Sequence, residues 1–208
     1  MVPVQFITHE TAGVSYEQSA ALALKGGCRW VQLRMKGASD DEAEPVARRL
    51  REACREAGAT FIIDDRVELA KKVEADGVHL GREDMPVEQA REALGHGFII
   101  GGTANTIDDI RRLKRAGADY IGCGPFRHTE TKKRLAPLLG LDGYRRIMEA
   151  VRAEGLRIPV CAIGGIEVAD VPALLAAGVD GIAVSGAVIR AENPAAAMRA
   201  FLTADEEL

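Results

Sequence analysis

Gly117-Ala118-Asp119-Tyr120-Ile121 is one copy of a short pattern that recurs along the chain. Gly27-Cys28-Arg29-Trp30-Val31, Ala75-Asp76-Gly77-Val78 and Gly178-Val179-Asp180-Gly181-Ile182 are the others. Each reads as a helix stop, then a polar residue, usually acidic, then a buried apolar strand. The steps between the polar residues are 47, 43 and 61 residues, and each step has room for two strand–helix units. Such a recurrence favours a closed (β/α)8 barrel, because an open sheet has no reason to repeat in this way.

Working outward from these anchors, the sequence predicts eight short strands beginning near Val4, Trp30, Thr60, Gly77, Phe98, Ala118, Pro159 and Gly181. They are continuous apolar runs, as expected of parallel strands covered on both faces. Eight helices alternate with them. The segment from Asp41 to Glu56 carries Ala47, Leu50 and Cys54 on one face at helical spacing. Pro86 stands where a helix tolerates proline at its start. The predicted fold is therefore α/β, a (β/α)8 TIM barrel filling residues 1–208 as one domain, with 203–208 as a frayed acidic tail.

At 208 residues and 47% apolar content the chain can bury a sizeable core. A net charge of -4 gives no electrostatic reason to expect nucleic acid or an anionic membrane as partner, so any anion site must be a local cluster of cations. The four cysteines, Cys28, Cys54, Cys123 and Cys161, show no metal-ligand spacing and are expected to be buried free thiols. The N-terminus lacks the features of a signal peptide and no apolar run is long enough to span a bilayer, so a cytoplasmic location is expected.

The active site of such a barrel lies at the C-terminal ends of its strands. After the second strand, Gln32, Arg34 and Lys36 alternate with Leu33 and Met35 and share one face. Asp64 and Asp65 follow the third strand and Asp84 the fourth. Asp65 and Asp84 could hold one Mg²⁺ together with waters and phosphate oxygens; Asp84 could equally cap the next helix. His79 lies inside the fourth strand with no partner legible in the sequence, so zinc is not expected. Gly101-Gly102-Thr103-Ala104-Asn105-Thr106 reads as a loop that either cradles an anion or caps a helix. After the sixth strand, Gly122-Cys123-Gly124-Pro125 forbids regular structure, and the loop beyond offers Thr129, Thr131, Lys132 and Lys133 to a phosphate or pyrophosphate. Gly164-Gly165-Ile166 and Ser185-Gly186-Ala187 follow the seventh and eighth strands, where this barrel type commonly binds phosphate. Two anion sites result. One is neutral in its side chains; the other, built by Arg34, Lys36, Asp65, Asp84, Thr103 and Lys132, suits a magnesium pyrophosphate.

These residues resemble the thiamine-phosphate synthase family over essentially the whole chain. The likeness is carried by Gln32-Leu33-Arg34-Met35-Lys36, Asp64-Asp65, Gly77-Val78-His79-Leu80-Gly81 with Glu83-Asp84, Gly122-Cys123-Gly124-Pro125-Phe126 with Thr129-Glu130-Thr131-Lys132, and Ala162-Ile163-Gly164-Gly165-Ile166. The resemblance implies an enzyme that joins hydroxymethylpyrimidine pyrophosphate to a thiazole monophosphate, releasing pyrophosphate. It implies that Gln32, Arg34, Lys36, Asp64, Thr103 and Lys132 hold the pyrimidine substrate. Asp65 and Asp84 would bind Mg²⁺, and Thr129, Thr131, Gly165, Ser185 and Gly186 the thiazole phosphate. Arg34, Lys36 and Lys132 would stabilise the leaving anion. The family usually has Asn at Asp64, Ser at Thr103, His at Asn105 and Pro at His128. Asp64 thus puts a charge beside the pyrophosphate, unfavourable unless Mg²⁺ or Lys132 offsets it. Two competing readings are a thiazole tautomerase, which shares the phosphate loops but needs an acid/base residue in place of the metal carboxylates, and a non-catalytic thiazole-phosphate or thiamine-phosphate binding protein.

Overall fold

The computed structural model describes residues 3–128 and 137–205. Its strands are β1 Val4–Ile7, β2 Trp30–Leu33, β3 Thr60–Asp64, β4 Gly77–Leu80, β5 Ile99–Ala104, β6 Tyr120–Cys123, β7 Val160–Ile163 and β8 Gly181–Val184. All pair in parallel with their sequence neighbours, and β8 returns to β1 to close the barrel. The helices are α1 Tyr16–Lys25, α2 Asp40–Glu56, α3 Val67–Lys72, α4 Val87–Leu94, α5 Ile107–Arg115, α6 Gly140–Ala153, α7 Val171–Ala177, α8 Gly186–Ile189 and α9 Pro194–Thr203. A 3-10 turn, Val168–Asp170, leads into α7.

The period-2 alternation of the strands divides the interior in two. Val4 and Phe6, Val31 and Leu33, Phe61 and Ile63, Val78 and Leu80, and Ile182 and Val184 all join the apolar layer between barrel and helices. The alternate positions, including Gln5, Gln32, Asp64, His79 and Tyr120, lie outside that layer although each is buried. The lumen therefore holds buried polar side chains among apolar ones such as Ile62 and Ala183, which a barrel used only as a packed core would not need.

The recurring acidic residue has a physical role. Asp76, just before β4, accepts a hydrogen bond through Oδ2 from the backbone N–H of Phe61 on β3, at 2.7 Å. Asp119 does the same for Ile100 on β5, and Asp180 for Val160 on β7, both at 2.8 Å. Each carboxylate ties the entry of an even strand to the odd strand before it. We predict that Asp76→Ala lowers the unfolding free energy by about 1–3 kcal/mol, because the Phe61 N–H loses a charged acceptor. Urea unfolding of the variant measures this; an unchanged midpoint would show that the latch contributes nothing.

Three departures from the expected elements bear on the site. Gly101-Gly102-Thr103-Ala104 is not a loop but the last four residues of β5, and Gly122-Cys123, expected to lie beyond the sixth strand, likewise close β6. The glycines are there because a Cβ on Gly101 would fall 2.2 Å from Tyr120 and one on Gly102 2.7 Å from Leu113. Thr106 alone serves the following helix, capping α5 through Asp109 N–H. The second departure is α8, one turn long and not expected from the sequence. Third, Thr203 closes α9 and Ala204 is buried, while residues 206–208 of the expected tail lie outside the described residues. All four cysteines are free and buried, and burial pushes the Cys54, Cys123 and Cys161 thiols up to about 12. Among the described residues no helix is long and apolar enough to cross a membrane.

Candidate active site

Gln32 rises from β2 into the lumen and donates through Nε2 to Asp64 Oδ1 on β3, at 2.6 Å. Its carbonyl oxygen Oε1 is buried and meets no hydrogen-bond donor among the described residues. A buried acceptor left orphaned costs roughly 1–3 kcal/mol, so Oε1 is suited to take a donor from a ligand. The amide of Gln32 is turned this way because a carboxylate can only accept. Asp64 Oδ2 in turn lies 3.3 Å from Arg34 Nε. The charge at Asp64, where Mg²⁺ or Lys132 was expected to offset it, is met among the described residues by Arg34. Arg34 is anchored as well, its backbone N–H donating to Thr8 Oγ1 at 3.0 Å.

Asp65 follows in a left-handed backbone conformation, φ 67°, that few non-glycine residues adopt. Its N–H donates to His79 O at 2.9 Å, which pins the turn. Burial, the neighbouring Asp64 charge and Asp84 together push its carboxyl up to about 7, against the opposing effect of Lys36. Lys36 Nζ stands 3.4 Å from Asp65 Oδ2, and Asp84 is within hydrogen-bonding reach of the same carboxyl. One oxygen of Asp84 is used within its own loop, accepting from Gly81 N–H at 2.5 Å; the N-cap of α4 is Pro86, not Asp84. Among the described residues no three His, Cys, Asp or Glu side chains converge as a metal cluster. What does converge is this pair of carboxylates. Two acidic oxygens held together against their own repulsion fit a hard cation that takes one or two carboxylates and completes its shell with water and phosphate.

His79 has partners that the sequence hides. Gln5 Nε2 donates to the Tyr120 hydroxyl at 3.0 Å, that hydroxyl lies 3.0 Å from His79 Nδ1, and His79 Nε2 lies 3.0 Å from Thr103 Oγ1. Complete burial raises the Tyr120 phenol far above its usual range, so it keeps its proton. With Gln5 as donor, the phenol proton goes to Nδ1, and His79 then donates through Nε2 to Thr103. In that arrangement the Thr103 hydroxyl accepts from His79 and keeps its own proton for another acceptor.

On the opposite side, the start of the β6–α6 loop is fastened to the β7 loop. Phe126 N–H donates to Ile163 O and Arg127 N–H to Gly164 O, at 2.8 and 3.0 Å. Arg127 also binds Asp170 through both terminal nitrogens, at 2.8 and 2.7 Å. Gly165 has φ 67°, and a Cβ there would fall 2.5 Å from Arg127 Cγ, so no other residue fits easily. Asn105 Nδ2 donates to both Gly124 O and Pro137 O at 2.9 Å, and so braces both flanks of residues 129–136. Thr129, Thr131 and Lys132 themselves lie outside the described residues. Gly165 and Gly186 line a cavity of about 530 Å³ next to Ser185, the N-cap of α8. This rim is not neutral in its side chains: Arg127 and Arg190 line the same cavity.

The β2, β3, β4 and β5 residues named from sequence thus share one side of the barrel mouth, and the β7 and β8 residues the other. Sequence reading missed Gln5, Tyr120, Arg127 and Arg190, and gave Asn105 no role. Only Tyr120 carried a signal, as a phenol inside the recurring strand pattern.

The comparisons with known proteins agree with this geometry. The family model described as thiamine monophosphate synthase matches residues 4–188. A thiamine-phosphate synthase of Bacteroides thetaiotaomicron is 56% identical over 202 residues, covering 97% of each chain. One from Phocaeicola vulgatus is 57% identical over 195 residues, covering 94% of each. Among solved structures, a thiamine phosphate pyrophosphorylase from Pyrococcus furiosus superposes with a TM-score of 0.86 at 37% identity, over 99% of this chain and 96% of that one. A closed barrel with buried polar side chains in its lumen, a carboxylate pair at its mouth and a sequence match along nearly all its length leave one assignment: the chain belongs to the thiamine monophosphate synthase family.

Proposed function

We propose that this protein joins a hydroxymethylpyrimidine pyrophosphate to a thiazole monophosphate, forming thiamine monophosphate and releasing pyrophosphate. The observation that carries this reading is the Asp65–Asp84 pair beside Lys36, on the same rim as Gln32 and Thr103. A thiazole-phosphate carrier has no use for a carboxylate pair that repels itself when empty.

The thiazole nitrogen carries its own lone pair, so no general base is required. The barrier is heterolysis of the C–O bond, whose electron pair leaves with pyrophosphate. The electron-rich aminopyrimidine spreads the positive charge left on its methylene, and the thiazole nitrogen then closes the new C–N bond. Gln32 offers its free carbonyl oxygen to the exocyclic amine of the pyrimidine. Arg34, Lys36 and Lys132 stabilise the leaving anion, and Thr103 donates its hydroxyl proton to it. Asp65 and Asp84 would hold Mg²⁺, which when bound adds positive charge at the departing oxygens. Gly165, Ser185 and Gly186, with Thr129 and Thr131, hold the thiazole phosphate. The remaining task is to align the two rings and keep water from the cationic methylene.

Calorimetric titration with inorganic pyrophosphate tests the site without requiring turnover. Pyrophosphate is expected to bind the wild type with Mg²⁺ present and at least about tenfold more weakly with a chelator. Equal binding in both conditions would rule out a magnesium pyrophosphate site.

A further inference from the structure

Arg190 stands at the cavity beside β7 and β8 and belongs to none of the motifs described above. It follows α8 directly, and its side chain folds back along that turn. A Cβ added to Gly186 would fall 2.5 Å from its Nη1, 2.7 Å from Cζ and 2.8 Å from Nη2. The guanidinium therefore lies on the face that this glycine leaves bare, and it lines the cavity with Gly165 and Gly186.

The other charges around the cavity are committed elsewhere. Arg127 is held by both oxygens of Asp170 and also donates to Gly165 O. Glu167 lies 3.9 Å from Arg127 and is mostly exposed. Arg190 makes no ion pair and no side-chain hydrogen bond among the described residues. Its charge is felt across the mouth: His9, beyond the end of β1, is held below the usual imidazole value by burial, then by Arg190 and Arg34, with Glu10 opposing. A planar fork of N–H donors with no carboxylate, at the rim of a cavity large enough for a small phosphorylated molecule, matches a phosphate dianion.

We propose that Arg190 binds the phosphate of the thiazole substrate and sets the preference for the phosphorylated thiazole over the free alcohol. This rests on the reading of the β7–β8 rim as the phosphate site. The contact is remote from the bond that breaks and is the same in ground and transition states. It should therefore act on KM and leave kcat alone.

The test is steady-state kinetics of wild type, Arg190→Ala and Arg190→Lys, with phosphorylated and unphosphorylated thiazole, at saturating pyrimidine pyrophosphate and Mg²⁺. Arg190 is exposed, so neither variant should disturb folding. Arg190→Ala is expected to raise KM for the phosphorylated thiazole about ten- to a hundredfold, with kcat within about twofold and no change for the free alcohol. Arg190→Lys should recover part of the loss, since it keeps the charge but not the fork. Calorimetry of thiazole phosphate binding should show the same order. An unchanged KM for the phosphorylated thiazole, in a wild type that does form thiamine monophosphate, overturns the role of Arg190 alone. A rise instead in KM for the pyrimidine pyrophosphate would place Arg190 at the leaving group and also overturn it. A wild type that forms no thiamine monophosphate would remove the underlying reading, and this inference with it.

Discussion

Lys132→Ala is expected to lower turnover roughly thirty- to a thousandfold while leaving the barrel folded. Losing one charge contact that is made mainly in the transition state costs on the order of 2–4 kcal/mol. Lys132 lies outside the described residues, but the described residues before 129 and after 136 are tied down. Asn105 bonds Gly124 O and Pro137 O, and Leu139 N–H donates to Pro125 O. The mouth already holds Arg34 in a pair with Asp64 and Lys36 in a pair with Asp65. A further cation has the most to contribute, because the other two are partly neutralised before substrate arrives. Turnover and a thermal melt of the purified variant check both halves of the expectation; near-normal turnover would remove Lys132 from the mechanism.

Asp65→Ala and Asp84→Ala are each expected to raise the Mg²⁺ concentration for half-maximal activity by about ten- to a hundredfold. The double variant should be little worse than either single one, since groups that serve one ion act as a unit. Asp84 needs a control, because its Oδ2 also closes the loop onto Gly81 N–H. Asp84→Asn keeps an acceptor for that bond and removes the charge, so it separates loop from metal. Magnesium titrations of all four variants decide the matter. Losses that simply add, or an unchanged half-saturating concentration, would show that the two carboxylates serve no common ion.

Much of the architecture was legible because it is periodic. The recurring acidic anchor marked the even strands, and the structure gives it a reason in the latches from Asp76, Asp119 and Asp180 to the preceding strand. Gln32 could be placed in the lumen because a strand has a period of two, whereas β2 ends at Leu33 and Lys36 lies in the turn beyond it, so the expected shared strand face does not extend to Arg34 and Lys36. What stayed hidden depends on contacts distant in sequence. Gly101 and Gly102 read as a loop because glycine disfavours strands, yet here they leave room for Tyr120 and Leu113. His79 looked isolated because its partner Tyr120 is 41 residues away. The neutralisation of Asp64 by Arg34 crosses between two strands and no local pattern announces it. Helix α8 is only one turn long and too short to show a helical period.

Incubation of the purified protein with hydroxymethylpyrimidine pyrophosphate and thiazole monophosphate, with Mg²⁺ or with a chelator, tests the central claim most directly. Thiamine monophosphate and pyrophosphate are expected in equal amounts, with turnover nearly abolished by the chelator. No thiamine monophosphate in the presence of Mg²⁺, or the same rate with the metal removed, would contradict the account.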